Sequence, residues 1–230
     1  MHRSTILARR LRRRPAVGAK EFLMHIPAPD RSTGESEWRT FVQRQGFGHL
    51  VAAGLGRDVP VVVPTQFILE SEQVLLHLAG PNPIFEALAE QPRVVLSVAG
   101  DWAFIPSAWK AIGNEDPMLG IPTTYYAAVQ LAGVATVESE PAMVAAVLRR
   151  QLAALQPETP VSDPELAHPG RLRSIRAIVI AVDSVRAKFK YGGNVDEHHR
   201  LAVVERLRAR GGPGDDAAAI RAASWTRPAI

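Results

Sequence analysis

Hydroxyl and aromatic side chains gather in residues 102–136, around a polar loop between two predicted strands. The alternation of strands places Ser107 and Trp109 on one face before the loop, and Thr123 and Tyr125 on one face after it. Aromatic rings can stack on a planar ring, and hydroxyls can hydrogen-bond to its edges or to a phosphate. These four residues are therefore candidates for a cofactor site. The alternative is an aromatic pair that only lines the end of a barrel.

A second candidate is a row of cations near the end of the last predicted strand. Arg186, Lys188 and Lys190 alternate with apolar residues, which places the three cations on one face over roughly 13 Å. Such a row suits a phosphate, because charge-assisted hydrogen bonds to phosphate are strong. A solvated strand face, or lysines that protect a sheet edge from aggregation, would give the same pattern.

His77 and Asn82 form a third candidate group. His77 lies within the predicted strand VLLHLA, and Asn82 precedes Pro83 at the predicted start of a helix. Asn is a good N-cap and Pro suits the first helical position, so a purely structural role explains Asn82. A helix N-terminus also attracts phosphate, so a cap does not exclude binding.

The chain resembles a known family, the FMN-binding negative transcriptional regulators of the PaiB type, over roughly residues 24–210. Members carry a YISPSWY-like stretch, which corresponds to the region of Ser107 and Trp109. The other stretches follow in the same order: MHIP at residues 24–27, HLAGPNP at 77–83, IPTTYY at 121–126 and KFKYGGN at 188–194. The resemblance implies a split β-barrel in which two subunits pair and FMN lies at their interface. It also implies transcriptional repression, with DNA as a partner.

Through this resemblance nine residues are candidates for cofactor binding. They are His77, Asn82, Ser107, Trp109, Thr123, Tyr125, Lys188, Lys190 and Asn194. No residue is assigned a catalytic role, since a flavin carries the electrons itself. The adjacent His198 and His199 would point about 100° apart on a helix, so no metal site is predicted.

The chain also departs from the family pattern after the last strand. The family's Ser, Gln and Arg correspond to Gly192, Gly193 and Val195, and the loss of the arginine removes a bidentate phosphate partner. Two alternatives therefore stay open beside the flavin-binding regulator. One is a flavin- or deazaflavin-dependent oxidoreductase, and the other is a cofactor-free homodimer that has lost flavin binding.

The elements that position these residues are mainly strands. Six or seven strands with few helices between them predict an antiparallel barrel with peripheral helices. We expect a hairpin around Gly100-Asp101, and a long strand on each side of the helix that Pro141 begins. Residues 24–210 are expected to form the domain, and residues 211–230 a flexible tail that includes a short Ala-rich helix.

Composition limits the partners that can be expected. Residues 1–20 hold seven Lys and Arg and no acid, which leaves 20 cations against 23 acids in the rest of the chain. The basic character therefore belongs to residues 1–23, predicted to be a disordered extension, and no helix-turn-helix pattern supports DNA binding. With no cysteine and no apolar run of ~18 residues, we expect a cytoplasmic protein rather than a membrane protein.

Overall fold

The computed structural model describes residues 24–159 and 161–225. Its strands are β1 Phe47–Ala52, β2 Val61–Gln66, β3 Ile68–Glu70, β4 Gln73–Ala79, β5 Arg93–Ile105, β6 Thr123–Glu138 and β7 Ile175–Lys190. Its helices are α1 Glu35–Gln45, α2 Ile84–Glu90, α3 Pro141–Leu155, α4 Pro164–Ala167, α5 Pro169–Leu172, α6 Glu197–Arg210 and α7 Asp215–Ala223. The predicted basic extension, residues 1–23, lies outside the described residues, as do residues 226–230.

The sheet closes on itself through a short connection. Its strand order is β2-β1-β5-β6-β7-β4-β3, and each neighbouring pair is antiparallel. β2 and β3 lie at opposite edges, yet only Phe67 separates them in the chain. The two edges must therefore approach each other, which gives a barrel and confirms the predicted fold class, a mainly β split barrel with peripheral helices.

One predicted turn is wrong. Gly100 and Asp101 do not form a hairpin; they lie within β5 as an irregularity where the pairing register with β6 shifts between Ala99 and Trp102. A bulge of this kind bends a strand without ending it. Gly100 lies against the ring of Phe41, so the small residue allows α1 to approach the sheet.

Part of the predicted flexible tail is the short Ala-rich helix that the sequence predicts, α7, and this helix packs on the rest of the protein. Helix α7 packs against α6 and β5, and its buried face consists of Ala218, Ala219 and Ala222. The fully buried carboxylate of Asp215 accepts hydrogen bonds from the Arg210 guanidinium, with Nε at 2.7 Å, and from the Gly212 amide at 2.8 Å. The small side chains let this helix lie close to its neighbours, but alanines give only a weak hydrophobic pattern in the sequence.

The pairing of the two longest strands positions the candidate site. β6 pairs with β7 along their length, and Tyr126 lies opposite Lys190. The start of β6 and the end of β7 therefore lie at the same end of the barrel. Among the residues described, no helix is both long enough and apolar enough to cross a membrane.

Candidate functional site

A cleft of about 740 Å³ lies where β6 begins and β7 ends. Three parts of the chain form it: the segment before α1, the loop between β5 and β6, and the turn that leads from β7 into α6. Its lining residues are Pro27, Pro29, Asp30, Lys110, Leu119, Gly120, Ile121, Pro122, Thr123, Lys190, Asn194, Val195, Asp196 and His199. We refer to it below as the charged cleft.

Three of the nine predicted residues line this cleft: Thr123, Lys190 and Asn194. Thr123 begins β6 and Lys190 ends β7, so the antiparallel pairing brings them together. Asn194 follows in the turn before α6. The N-terminus of α6 is capped by Asp196, whose carboxylate accepts a hydrogen bond from the His199 amide at 3.0 Å.

Two lysines converge in the charged cleft. Burial, and to a smaller extent the charge of Lys190, lowers the pKa of Lys110. Within the described part of the chain, neither lysine lies within 4.0 Å of a carboxylate oxygen. Two like charges held near each other favour a bound anion, because the anion relieves their repulsion. A phosphate group meets this condition.

Lys188 lies on the same strand face as Lys190 but has different partners. Its Nζ donates to the carbonyl oxygen of His25 at 3.2 Å and lies 3.7 Å from Oδ2 of Asp30. Arg186 likewise donates to the carbonyl oxygen of Met24 at 3.2 Å. The predicted cationic face is present, but residues 24–30 cover it. Lys188 therefore binds this segment to β7 and does not line the cleft.

Asp30 is the carboxylate that this segment brings to the cleft. It is buried, and burial raises the pKa of Asp30, while the charges of Lys188 and Lys190 lower it in part. Its negative charge is partly balanced by Lys188, whose Nζ lies 3.7 Å from Oδ2 of Asp30.

Ser107 and Trp109 lie beside the cleft, in the loop that forms its wall. They belong to a short 3-10 helix, Ser107–Lys110, and not to a strand, so they do not share a strand face. The guanidinium of Arg210 lies 4.6 Å from the centre of the Trp109 ring. Arg206 donates to the carbonyl oxygens of Ala108 and Ala111, both at 3.2 Å. Helix α6 thus holds the loop that carries Lys110.

Tyr125 belongs to the core and not to the cleft. Its ring packs edge-on against that of Tyr191, with centroids 6.0 Å apart. Burial raises the pKa of Tyr125 to about 12. Its buried hydroxyl has no hydrogen-bond partner among the described residues and lies against Gly192, at the start of the turn that carries Asn194.

His77 and Asn82 lie away from the charged cleft. Nδ1 of His77 lies 2.7 Å from Oε1 of Gln151 on α3. Oδ1 of Asn82 accepts a hydrogen bond from the Ile84 amide at 3.0 Å, which is the predicted helix cap. The structure therefore divides the predicted residues among separate regions.

The sequence pattern missed Lys110 and His199. Nδ1 of His199 lies 2.7 Å from Oδ2 of Asp196, and its Nε2 lies 3.0 Å from Oε2 of Glu115 in the loop. The hydrogen bonds to Glu115 and then Asp196 raise the pKa of His199. The spacing of Asp196 and His199 was a usable signal, since a cap and the third helical residue are neighbours. No local sequence pattern indicates that Glu115 or Lys110 belongs to the site.

Among the described residues no group of three or more His, Asp or Glu side chains could hold a metal ion.

Comparison with known proteins identifies the family. The family model described as "Putative FMN-binding domain" matches residues 24–184, more than half of the chain. The chain belongs to this family. This match confirms the resemblance and the prediction that FMN is the cofactor.

One relative is similar to this chain in sequence, and two solved structures are similar to it in fold. The chain is 25% identical over 197 residues to "Protease synthase and sporulation protein PAI 2" of Bacillus subtilis (strain 168), covering 83% of this chain and 92% of the relative. The flavocytochrome Anf3 from Azotobacter vinelandii superposes with a TM-score of 0.53 at 21% identity, over 73% of each chain. The FAD and heme binding protein from Mycobacterium smegmatis gives a TM-score of 0.52 at 18% identity, over 80% of this chain and 81% of that one. The two structures show a shared fold.

The residues of the charged cleft fit FMN. Its volume lies within the range of about 300–1,000 Å³ that is usual for small-molecule sites. Lys110 and Lys190 match a phosphate, and Thr123 and Asn194 add hydrogen-bonding groups beside them. Pro122 supplies apolar surface in the same cleft. Val195 stands where the family pattern has an arginine, and the lysines that line the cleft are Lys110 and Lys190.

Proposed function

We propose that the protein is a PaiB-like, FMN-binding regulator in which the charged cleft holds the flavin phosphate. The observation that carries this proposal is the convergence of Lys110 and Lys190 without a carboxylate partner within 4.0 Å among the described residues. Thr123 and Asn194 orient the phosphate by hydrogen bonds, and Lys188 acts indirectly by holding Asp30 and residues 24–30 in place. FMN, when bound, supplies electron transfer through its ring system.

The regulatory role rests on the family and on the B. subtilis relative, whose name refers to protease synthesis and sporulation. DNA is the partner that the family resemblance implies for such a role. The acids outnumber the cations beyond residue 20, so a DNA contact would depend on local cations or on the basic residues at the start of the chain.

We also propose that the protein acts as a homodimer. Three large apolar side chains on the outer face of the sheet are exposed: Phe47 (53%), Val62 (51%) and Trp102 (63%). The register of pairing places all three on the same side of β1, β2 and β5. An exposed apolar face of this kind is typical of a protein–protein interface. Light scattering at micromolar concentration should give twice the 25.0 kDa mass of the chain; a stable monomer would exclude the dimer.

Titration of FMN by fluorescence quenching tests the phosphate site. Removal of one charge-assisted partner should weaken binding by about 1.5–3 kcal/mol, so Lys190→Ala and Lys110→Ala should each lose roughly one to two decades of affinity. Lys188→Ala should lose less, because its ammonium group is bonded to residues 25 and 30. Arg173→Ala, at the other end of β7, should have no effect.

The possible outcomes separate the three functions. Equal affinities for wild type and the Lys190 variant would show that the phosphate lies elsewhere. The absence of quenching by wild type would favour the cofactor-free homodimer. Turnover of a reduced nicotinamide cofactor by the FMN-loaded protein would favour the oxidoreductase. A salt-dependent shift of promoter DNA that persists without residues 1–23 would support the regulator.

A further inference from the structure

A second cavity, of about 750 Å³, lies between α3, α5 and the start of β7. Its apolar walls include Leu148, Leu152, Leu172 and Ile175, and its polar groups include His77 and Arg171. We refer to it as the apolar pocket. It is as large as the charged cleft, and the binding of a flavin phosphate by Lys110 and Lys190 does not account for it.

The two cavities lie at opposite ends of one strand. Ile175, the first residue of β7, lines the apolar pocket, and Lys190, its last residue, lines the charged cleft. The 16 residues of β7 span roughly 50 Å along the strand. One FMN molecule placed with its phosphate on Lys190 therefore does not reach Ile175.

His77 lines the pocket, and one of its two ring nitrogens is bonded to Gln151. Gln151 is buried on α3, and its Nε2 donates to the carbonyl oxygen of Leu75 at 3.4 Å. Its Oε1 must then accept the hydrogen bond from Nδ1 of His77 at 2.7 Å. In the neutral ring the proton is thus on Nδ1, and Nε2 keeps a lone pair that can accept a hydrogen bond from a ligand.

Arg171 supplies a cation at the same pocket. The carboxylates of the neighbouring segment, Asp163 and Glu165, are bonded to Arg149, with distances of 2.6 and 2.9 Å. Among the described residues no carboxylate lies within 4.0 Å of the Arg171 guanidinium. A guanidinium near apolar walls recognises a carboxylate well, because it can form two parallel hydrogen bonds.

We propose that the apolar pocket binds a small apolar carboxylic acid that also carries a hydroxyl or N–H group. The acid group pairs with Arg171, the hydroxyl or N–H group donates to Nε2 of His77, and the apolar body lies against the leucines. This site goes beyond the proposed FMN function and does not depend on it. It would allow a second small molecule to act on the protein while FMN is bound.

Equilibrium dialysis of 4-hydroxybenzoate against the full-length protein, with and without saturating FMN, tests the proposal. We expect one saturable site per chain, with an affinity that FMN does not change. Arg171→Ala should weaken binding tenfold or more, and His77→Phe about two- to tenfold. Arg173→Ala, a neighbouring exposed arginine outside the pocket lining, is the matched control and should leave the affinity unchanged.

Three results would overturn the proposal. They are the absence of saturable binding at millimolar concentration, equal affinities for wild type and Arg171→Ala, and displacement of 4-hydroxybenzoate by FMN, which would make this pocket the flavin site. Arg171 is exposed, so its variant tests the site even if the loss of the His77–Gln151 bond destabilises the other variant. Loss of FMN binding in Lys190→Ala with unchanged 4-hydroxybenzoate binding would keep the two sites distinct.

Discussion

The charged cleft and the apolar pocket have nearly the same volume, about 740 and 750 Å³, but different parts of the chain form their walls. Loops and turns form much of the charged cleft, and Leu119 in its wall is 79% exposed. Helices and a strand form much of the apolar pocket, and Leu172 in its wall is 1% exposed, although Val161 in the adjoining loop is 52% exposed. Part of the wall of the pocket is therefore also part of the core.

This difference has a physical cause. A loop segment exposes its backbone and carries polar side chains, so the cavity that it encloses can present cations such as Lys110. A helix that packs on a sheet must bury apolar side chains, so a cavity at that contact is apolar unless single polar groups are placed there. An exposed residue of the charged cleft such as Leu119 can thus change at little cost in stability, whereas a buried residue of the apolar pocket such as Leu172 cannot.

The largest expected effect compares one leucine from each wall. Leu172→Ala should lower the free energy of unfolding by about 2–5 kcal/mol, because it leaves a cavity in the core. Leu119→Ala should change it by less than about 0.5 kcal/mol, since the side chain is exposed. Chemical denaturation of the two variants measures both values. Similar losses in the two variants would show that both walls contribute equally to the core.

A second test examines where the charged cleft touches the core. Gly192 has φ of 80° and lies against the Tyr125 hydroxyl, so an added Cβ would overlap this oxygen. Gly192→Ala should cost about 1–3 kcal/mol from the left-handed backbone alone, and FMN affinity should fall because the turn carries Asn194. The loss of stability should be smaller in a Tyr125→Phe background, which removes the overlapping oxygen. An unchanged loss in the double variant would mean that the two residues are independent.

The smallest expected effect is a pH dependence of the protein's stability that arises from His199 in the charged cleft. The contacts to Glu115 and Asp196 raise the pKa of His199 above its usual value of 6.5. Their stabilisation is therefore complete below about pH 6.5 and is lost as the pH rises through the higher pKa of the folded state. The melting temperature of wild type should exceed that of His199→Asn more at about pH 6 than at about pH 9.

The neighbouring His198→Asn provides the control for this titration. His198 is exposed, and it is one residue from His199 on the same helix. Its variant should follow the wild-type pH profile. A difference between wild type and His199→Asn that stays constant with pH would contradict the proposed charge on His199.

Much of the fold could be predicted from local pattern. The helix with Asp196 as its cap begins and ends close to the predicted residues, and strands β6 and β7 lie where alternation placed them. The predictions that are wrong concern residues whose conformation depends on contacts with residues far away in the sequence. Gly100 and Asp101 look like a turn, yet the pairing of β5 with β6 and the ring of Phe41 keep the strand continuous. Helix α7 could be predicted as a short Ala-rich helix, but the sequence does not show that its alanines pack against α6 and β5.

The candidate site could be predicted only in part for the same reason. Alternation correctly places Lys188 and Lys190 on one face of β7, but it cannot show that residues 24–30 engage Lys188 and leave Lys190 in the cleft. Lys110 comes from a loop with no regular period, so no pattern indicates that it approaches Lys190. The residue type of Tyr125 and its place beside the loop predict a site residue, whereas its burial depends on how the barrel packs.

The sequence by itself determined the family, the FMN cofactor and the mainly β architecture, because motifs in order and period-two alternation are local properties of the chain. The tertiary structure decided which of these residues can meet a ligand. Whether a cation is available depends on what packs over it, and whether a histidine presents a free nitrogen depends on its partner from another helix, as Gln151 shows for His77. Both depend on contacts between residues far apart in the chain, which composition and spacing do not contain.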